Sequence, residues 1–546
     1  MISRDLTNIP IGTISDFPKN WKADILSGFL VFLIALPLCL GISLACGYPA
    51  ISGIFTAIIG GMLATFFSNS ELTIKGPAAG LIVIAIGCVT EFGFTGGEDP
   101  ALDFQAYRLA LGVGVVAGII QIFLGLVRAG ILGEFFPHSA VHGLLTAIGI
   151  IIMAKQFPIA LGVRPDGKPL ELIAKIPQFV MEMNPLVGLI GILSLLIMFS
   201  YLFIKNPKIK VIPAPMVVLL VTVPLAMYLN IGQDQTYSFN GQDYSLGKRF
   251  LVAVPNNMFH AITFPDFSGL LTMTGWKYVV MFSLIGSIES LLSAKAIDAI
   301  DPWRRKTNHD RDMLAVGVGN TVAAFVGGLP MISEIVRSKA NIDNGARTRF
   351  ANMFHGMLLL LFVALVPGMI NQIPLAALGA MLVFTGYRLA SPQEFIHMYH
   401  VGKEQFIIFV STVIGVLATD LLMGIAIGIC VNIVLHLKNG APLPSLFKPQ
   451  IQVDREKGRA VIVKVKDSAI FSTWIALKKT LESLASEPHV VLDLSDTFLV
   501  DHTTMSKLHE MEKEFQERQS RLEIVGLDHH QPLSKHPEAG RKKPRK

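Results

Sequence analysis

The chain has 546 residues, of which 52% are hydrophobic and only 16% charged, and its mean hydropathy is +0.55. A soluble protein of this size does not carry that much apolar surface, so the composition excludes a water-soluble globular protein and makes lipid the solvent. The formal net charge of +6 does not imply nucleic acid: Arg541, Lys542, Lys543, Arg545 and Lys546 sit together at the C-terminus, where a solvated tail beside anionic lipid headgroups accounts for them.

In chain order, residues 1–22 form a polar N-terminal segment with Arg4, Asp5 and Lys19. The apolar run that follows is too long for a signal-peptide core and is expected to be uncleaved. With about 20 apolar residues needed per crossing, segments fall near 25–45, 51–67, 77–92, 108–127, 131–153, 186–204 and 211–229. A second set falls near 277–297, 313–327, 331–343, 353–370, 374–389, 404–420 and 421–437. Fourteen segments, seven in each half, place both termini on one side. Lys205, Lys208 and Lys210, then Arg304, Arg305 and Lys306, then Arg347 and Arg349 all follow even-numbered segments. The positive-inside rule makes that side cytoplasmic. The loop at Gly97-Glu98-Asp99 and the long loop 231–275 then face outward, as do Lys155, Arg164, Lys168 and Lys175 against the rule. Cys39, Cys46, Cys88 and Cys430 lie within apolar runs and are read as packing residues, with no disulfide or zinc implied.

Past Lys438 the character changes. Residues 439–449 read as a linker by their turn residues, and 450–530 as a small α/β domain. Ala460–Val465, Val490–Leu494 and Leu522–Val525 read as strands. Trp474, Leu477, Leu481 and Leu484 recur at helical spacing, and a second helix is expected near 503–518. The chain thus divides into an N-terminal segment (1–22), a transmembrane domain (23–438), a linker (439–449), an α/β domain (450–530) and a basic tail (531–546).

Two interruptions break the apolar pattern in parallel positions. Lys75-Gly76-Pro77 and Gly328-Leu329-Pro330 each fall 52 residues after the start of an apolar run, at Ile25 and Tyr278 respectively. Helix-breaking residues are tolerated at membrane depth only where the freed backbone lines a cavity, and paired interruptions in two halves mark an inverted-repeat carrier. A half-helix starting near Ile332 turns its free N–H groups and positive dipole end into that cavity, as does the segment Ala78-Ala79 after Pro77, and the pair attracts an anion. Lys75 and Arg337 add full charges near those ends, and Ser333 can cap or bond the substrate. Glu334, three residues before Arg337, is placed to neutralise it. The expected substrate site is Lys75, Gly76, Pro77, Ala78, Ala79, Ile332, Ser333, Glu334 and Arg337.

Glu289 is a carboxylate in mid-segment, which costs roughly 2.5 to 3.5 kcal/mol on insertion scales and so demands an interior partner. Ser293 lies one turn on, and the pair can hold Na⁺ through oxygen, or Glu289 can carry a proton. Asp420 reads as a helix-terminus residue. His138 and His142 share an i, i+4 spacing but adjoin Pro137 and lack carboxylate support, so no metal site is expected there. Gly317-Val318-Gly319 reads as helix packing. No catalytic constellation appears, and an enzyme is not expected.

These motifs resemble the SulP anion permeases. Gly327-Gly328-Leu329-Pro330 through Arg337 to Asn344-Gly345-Ala346-Arg347-Thr348 is similar to that family's tenth-helix motif. Gly286-Ser287-Ile288-Glu289-Ser290-Leu291-Leu292 is similar to its eighth, and Thr419-Asp420-Leu421-Leu422-Met423-Gly424-Ile425 to its penultimate loop. Val491-Leu492-Asp493-Leu494-Ser495 and Val500-Asp501-His502-Thr503-Thr504 resemble STAS-domain motifs. The resemblance implies seven-plus-seven inverted repeats with core and gate domains, a cytoplasmic α/β STAS domain, a homodimer in the inner (plasma) membrane, and elevator-like symport of bicarbonate or sulfate with Na⁺ or H⁺. It places Glu289, Ser293 and Ser287 at the coupling-ion site, with Na⁺ at Glu289 and Ser293, and leaves the STAS domain free to meet a cytoplasmic partner. No other cofactor is expected. Lys75 and Glu334 depart from the family pattern, and Thr503 stands where some STAS regulators carry a phosphorylated serine, though phosphorylation is not expected here. The rival readings are a nucleobase carrier, an uncoupled anion channel or exchanger, and a membrane platform that recruits partners through its STAS domain.

Overall fold

The computed structural model describes residues 9–204, 206, 212–455 and 460–544. Arg4, Asp5, Lys205, Lys208, Lys210, Arg545 and Lys546 lie outside these residues. The chain forms two compact units, Met1–Gly133 with Gly149–Arg388, and Glu134–Ile148 with Leu389–Lys546. Seven helices among the described residues are long and apolar enough to cross a membrane, and four apolar ones are shorter.

In the first unit the elements that matter for the site are α1 (Phe17–Ala45), α2 (Ile51–Met62), β1 (Ile74–Pro77), α3 (Ile82–Glu91), α4 (Pro100–Leu126), α5 (Met273–Ile300), α6 (His309–Phe325), β2 (Met331–Glu334), α7 (Ile335–Asp343) and α8 (Phe350–Leu365). The starts of the long helices carry their own caps. Asp99 accepts from Ala101 and Leu102 N–H ahead of Pro100, Thr272 from Gly275 N–H at 3.1 Å, and Asn308 from Arg311 N–H at 3.0 Å. These close donors that a helix cannot satisfy itself.

α4 and α6 meet backbone to backbone. A Cβ added at Gly118 would lie 2.7 Å from Thr321 N, and one at Gly317 would lie 2.6 Å from Ile122 N. Small residues thus let the helices close up where lipid supplies no hydrophobic drive. Residues ahead of α1 are pinned rather than loose: Gly12 N–H donates to Glu71 Oε2 at 2.9 Å, and Arg305 donates to Pro10 O at 2.6 Å.

Two expectations change. The stretch 331–343 is not one helix but the strand β2 followed by α7, and 77–92 is likewise the end of β1 followed by α3. Proline removes a donor and glycine raises the entropic cost of a helix there, and the two extended pieces find their partners in each other. Lys155 is not in an outer loop either: it lies within the helix His138–Ala160, because the apolar periodicity runs on past it.

The second unit holds the helices Pro392–Val401, Lys403–Ala418 and α9 (Leu421–Lys438), and the α/β domain. Asp420 caps α9, accepting from Met423 N–H at 2.9 Å. The domain runs β3 (Gln450–Asp454), β4 (Val461–Ala469), α10 (Trp474–Ser483), β5 (His489–Asp493), β6 (Thr497–Val500), α11 (His502–Glu517), β7 (Arg521–Val525), β8 (Gln531–Pro532) and β9 (Arg541–Lys542). Its sheet has the order β8-β9-β6-β4-β5-β7, with β3 antiparallel to β4 and the β6-β4-β5-β7 core parallel.

Trp474, Leu477, Leu481 and Leu484 are all buried against that sheet. Trp474 also donates its indole N–H to Glu134 Oε2 at 3.2 Å, and Lys478 and Lys507 pair with the same carboxylate. Among the described residues, 531–544 do not form the expected solvated tail: Arg541 and Lys542 pair with Val500 and Leu499, and Lys543 donates to Phe498 O and Ser495 O. Their backbone completes a sheet edge, which outweighs the attraction of their charges for solvent. Thr503 is buried, its hydroxyl accepting from His138 N–H at 3.3 Å, so a kinase has no access to it.

Candidate functional site

β1 and β2 cross antiparallel in the register Ile74 with Glu334, Lys75 with Ser333, Gly76 with Ile332 and Pro77 with Met331. Two residues on each strand cannot bond each other fully, and side chains from four helices close the remaining ladder groups. Asn352 of α8 accepts from Lys75 N–H at 3.2 Å, Ser338 of α7 from Ile74 N–H at 2.8 Å, Ser290 of α5 from Ser333 N–H at 3.1 Å, and Asn320 of α6 from Met331 N–H at 2.5 Å. At membrane depth each unmet group costs several kcal/mol, so this shell holds the crossing open as a non-helical island. β2 runs directly into α7 and β1 leads through residues 78–81 into α3, so the N-termini of both short helices follow from the same crossing.

Five ionisable side chains surround it. Arg337 is 1% exposed; its guanidinium donates to Pro77 O at 2.9 Å and stands 2.9 Å from Glu334 Oε1. Gly76 leaves it room, since a Cβ there would fall 2.6 Å from Arg337 Nη1. Lys75 does not offer a free charge as expected. Its ammonium donates to Asp312 Oδ1 at 2.7 Å, Thr73 Oγ1 at 2.7 Å and Ser333 Oγ at 2.9 Å, and both ion-pair partners are fully buried. Glu289 of α5 faces the turn after β1, and Gly80 has no side chain because a Cβ there would sit 2.0 Å from Glu289 Oε1. With all five groups ionised, two cations face three carboxylates, a formal excess of one negative charge.

Two polar atoms at the crossing are left without a protein partner. Glu289 Oε2 and Arg337 Nε are buried without hydrogen-bond partners, and such groups in a native fold call for an explanation. Around the crossing most residues are buried, while Ala79 and Glu289 keep partial exposure. Gly80→Ala forces the Glu289 carboxylate aside. The expected result is a folded protein whose anion uptake in proteoliposomes falls by about tenfold or more, in line with the cost of displacing a buried reactive group by an ångström; uptake unchanged from the parent would detach Glu289 from the site.

The crossing brings together Lys75, Gly76, Pro77, Ala78, Ala79, Ile332, Ser333, Glu334 and Arg337. Glu289 and Ser293 share a face of α5, whereas Ser287 lies roughly 200° round the axis from Glu289 and is separated from it. Ser290, Asp312, Asn320, Asn352 and Thr73 are hydrogen-bonding supports of the crossing that sequence reading missed. The one available signal was Asp312, a carboxylate at the start of an otherwise apolar segment.

A polytopic helical protein whose two halves each contribute a broken crossing, meeting around buried charges and two helix N-termini, has the build of a membrane transporter for an anion. The model of the sulfate permease family matches residues 21–412, and the chain belongs to that family. It is 21% identical over 93% of its length to a putative sulfate transporter, YvdB, of Bacillus subtilis, covering 92% of that protein. It is 22% identical to the bicarbonate transporter BicA of Synechocystis, over 93% of this chain and 88% of that one. Among solved structures, the transmembrane domain of a cyanobacterial BicA superposes with a TM-score of 0.62 at 22% identity, covering 75% of this chain and 98% of that one. The murine Slc26a9 anion transporter superposes at 0.65 with 15% identity, over 94% and 88%. The shared fold includes the C-terminal α/β region, which has the alternating build of a STAS domain.

Proposed function

We propose that the protein is a secondary active carrier of a small inorganic oxyanion, bicarbonate or sulfate, driven by symport of Na⁺ or H⁺ bound at Glu289. The observation that carries this reading is the charge count at the strand crossing. With Arg337 matched by Glu334 and Lys75 by Asp312, ionised Glu289 leaves the cavity negative, and an anion enters against it only when a cation neutralises that carboxylate. The two helix N-termini then supply the attraction. An uncoupled channel has no use for a mid-membrane carboxylate of that cost. Family likeness adds an elevator-type movement, a homodimer, placement in the inner (plasma) membrane with cytoplasmic termini, and a STAS domain that serves assembly or a cytoplasmic partner.

The test is uptake of labelled bicarbonate and of labelled sulfate into proteoliposomes, each with and without an inward Na⁺ gradient and with a pH gradient alone. Saturable uptake of one anion that follows one cation gradient supports the reading; unsaturable flux indifferent to both gradients overturns it. Arg337→Ala, which also frees Pro77 O and strands Glu334, is expected to raise the half-saturating anion concentration by about tenfold or more, the effect of losing a charge-assisted bond. An unchanged half-saturating concentration in correctly folded protein would remove Arg337 from the site.

A further inference from the structure

Within the second unit, histidines from separate parts of the sequence converge at the start of α11. His502 is the first residue of that helix and only 5% exposed. Its ring centroid lies 6.1 Å from that of His536, in the turn that joins β8 to β9, and 6.3 Å from that of His138. His397 lies 6.4 Å from His536 on the other side. One ligand atom each from His502, His536 and Glu538 fall within 4.8 Å of one another.

We infer that His502, His536 and Glu538 form a site for a borderline divalent transition metal, Zn²⁺ foremost, that clips the turn between β8 and β9 to the start of α11. The geometry around the cluster is that of a prepared ligand set. His502 Nδ1 lies 2.7 Å from Glu538 O; a carbonyl only accepts, so Nδ1 carries the proton and the Nε2 lone pair is left free. A ligating histidine ordinarily has its other nitrogen fixed in this way. The turn is itself held in shape: Ser534 Oγ donates to Val401 O at 2.5 Å and accepts from His536 N–H at 3.2 Å, and Ala539 N–H donates to His536 O at 3.0 Å. His536 Nδ1 accepts a long bond of 3.2 Å from Glu538 N–H. The metal takes that lone pair in place of the N–H, and only a long bond is given up.

Two imidazoles and a carboxylate suit Zn²⁺, with bonds of about 2.0 to 2.2 Å and ligand atoms roughly 3.3 Å apart in a tetrahedron. Small rotations of His536 and Glu538, both only partly buried, bring the three inward. A fourth position is left for water or for one of the flanking histidines. Imidazole and carboxylate together disfavour Mg²⁺ and Ca²⁺, which take oxygen ligands. Binding to the folded domain alone stabilises it by mass action.

The test titrates tag-free, full-length protein in detergent with Zn²⁺ by calorimetry, and with Co²⁺ as a visible reporter of low-coordinate geometry. The expected result is about one equivalent bound, with Co²⁺ developing intense visible bands and Zn²⁺ raising the melting temperature of the α/β domain. His536→Ala and Glu538→Gln, both on the partly exposed turn, each weaken binding by about 10- to 100-fold, while His400→Ala, outside the cluster, leaves it unchanged. Several weak equivalents with no visible bands, or an affinity equal in all three variants, overturns the proposal.

Discussion

Glu289→Gln gives a carrier that still moves its anion but no longer follows a cation gradient. The substitution keeps the shape of the side chain beside Gly80, where there is no space to spare, and removes one negative charge. The remaining four ionised groups then cancel in pairs, Arg337 with Glu334 and Lys75 with Asp312. An anion no longer needs a cation beside it, and a cation no longer finds a carboxylate. A unit charge at 4 Å is worth about 1 kcal/mol in water and about 4 kcal/mol at an effective dielectric of 20, so the change in anion affinity without cation is expected to be fivefold at the least. In proteoliposomes the variant should equilibrate labelled anion without accumulating it, and its initial rate should be flat across Na⁺ and pH gradients. Full gradient dependence in the variant moves coupling to Glu334, the carboxylate paired with Arg337 beside the crossing.

Lys75→Met is expected to be the most damaging single change to the fold of the membrane unit. Removing one partner of a fully buried ion pair typically costs about 3 to 5 kcal/mol, because the other charge stays buried and uncompensated. Here Asp312 would keep only the hydroxyls of Ser68, at 2.5 Å, and Ser333, at 3.0 Å. β1 would lose the anchor that ties it to β2 and α6. The double variant Lys75→Met with Asp312→Asn restores neutrality and should recover most of the folded yield, measured as the monodisperse fraction after heating in detergent. Because the wild-type pair is neutral as seen from the cavity, the double variant should also keep the parental anion affinity. A large loss of affinity despite recovered folding would show that Lys75 reaches the substrate, the role its sequence position first suggests.

Much of the architecture was legible in the residues because it depends on one-dimensional quantities. The length of apolar runs against the thickness of a bilayer locates the crossings, and the alternation after Lys438 locates an α/β domain. Paired proline and glycine breaks announce a cavity, because backbone polar groups at membrane depth have nowhere else to go. Glu289 and Arg337 stand out for the same reason, as charges that lipid does not tolerate. Arg541, Lys542 and Lys543 misled because a run of positive charges looks like a solvated tail, whereas strand pairing depends on the backbone and is blind to side-chain charge.

The sequence by itself determined that this chain lives in a membrane, that each half is broken once, and which few charged residues stand at the breaks. Only the tertiary structure decided that both breaks become strands and pair with each other, that Lys75 spends its charge on Asp312, 237 residues away, and that Ser290, Asn320 and Asn352 close the ladder. It also decided that Ser287 turns away from Glu289. The physical reason is that burial, dielectric and hydrogen-bond satisfaction are properties of an environment assembled from distant segments. A sequence states which charges must be accommodated, but the packed structure selects which opposite charge meets each one and which oxygen is left over for a ligand.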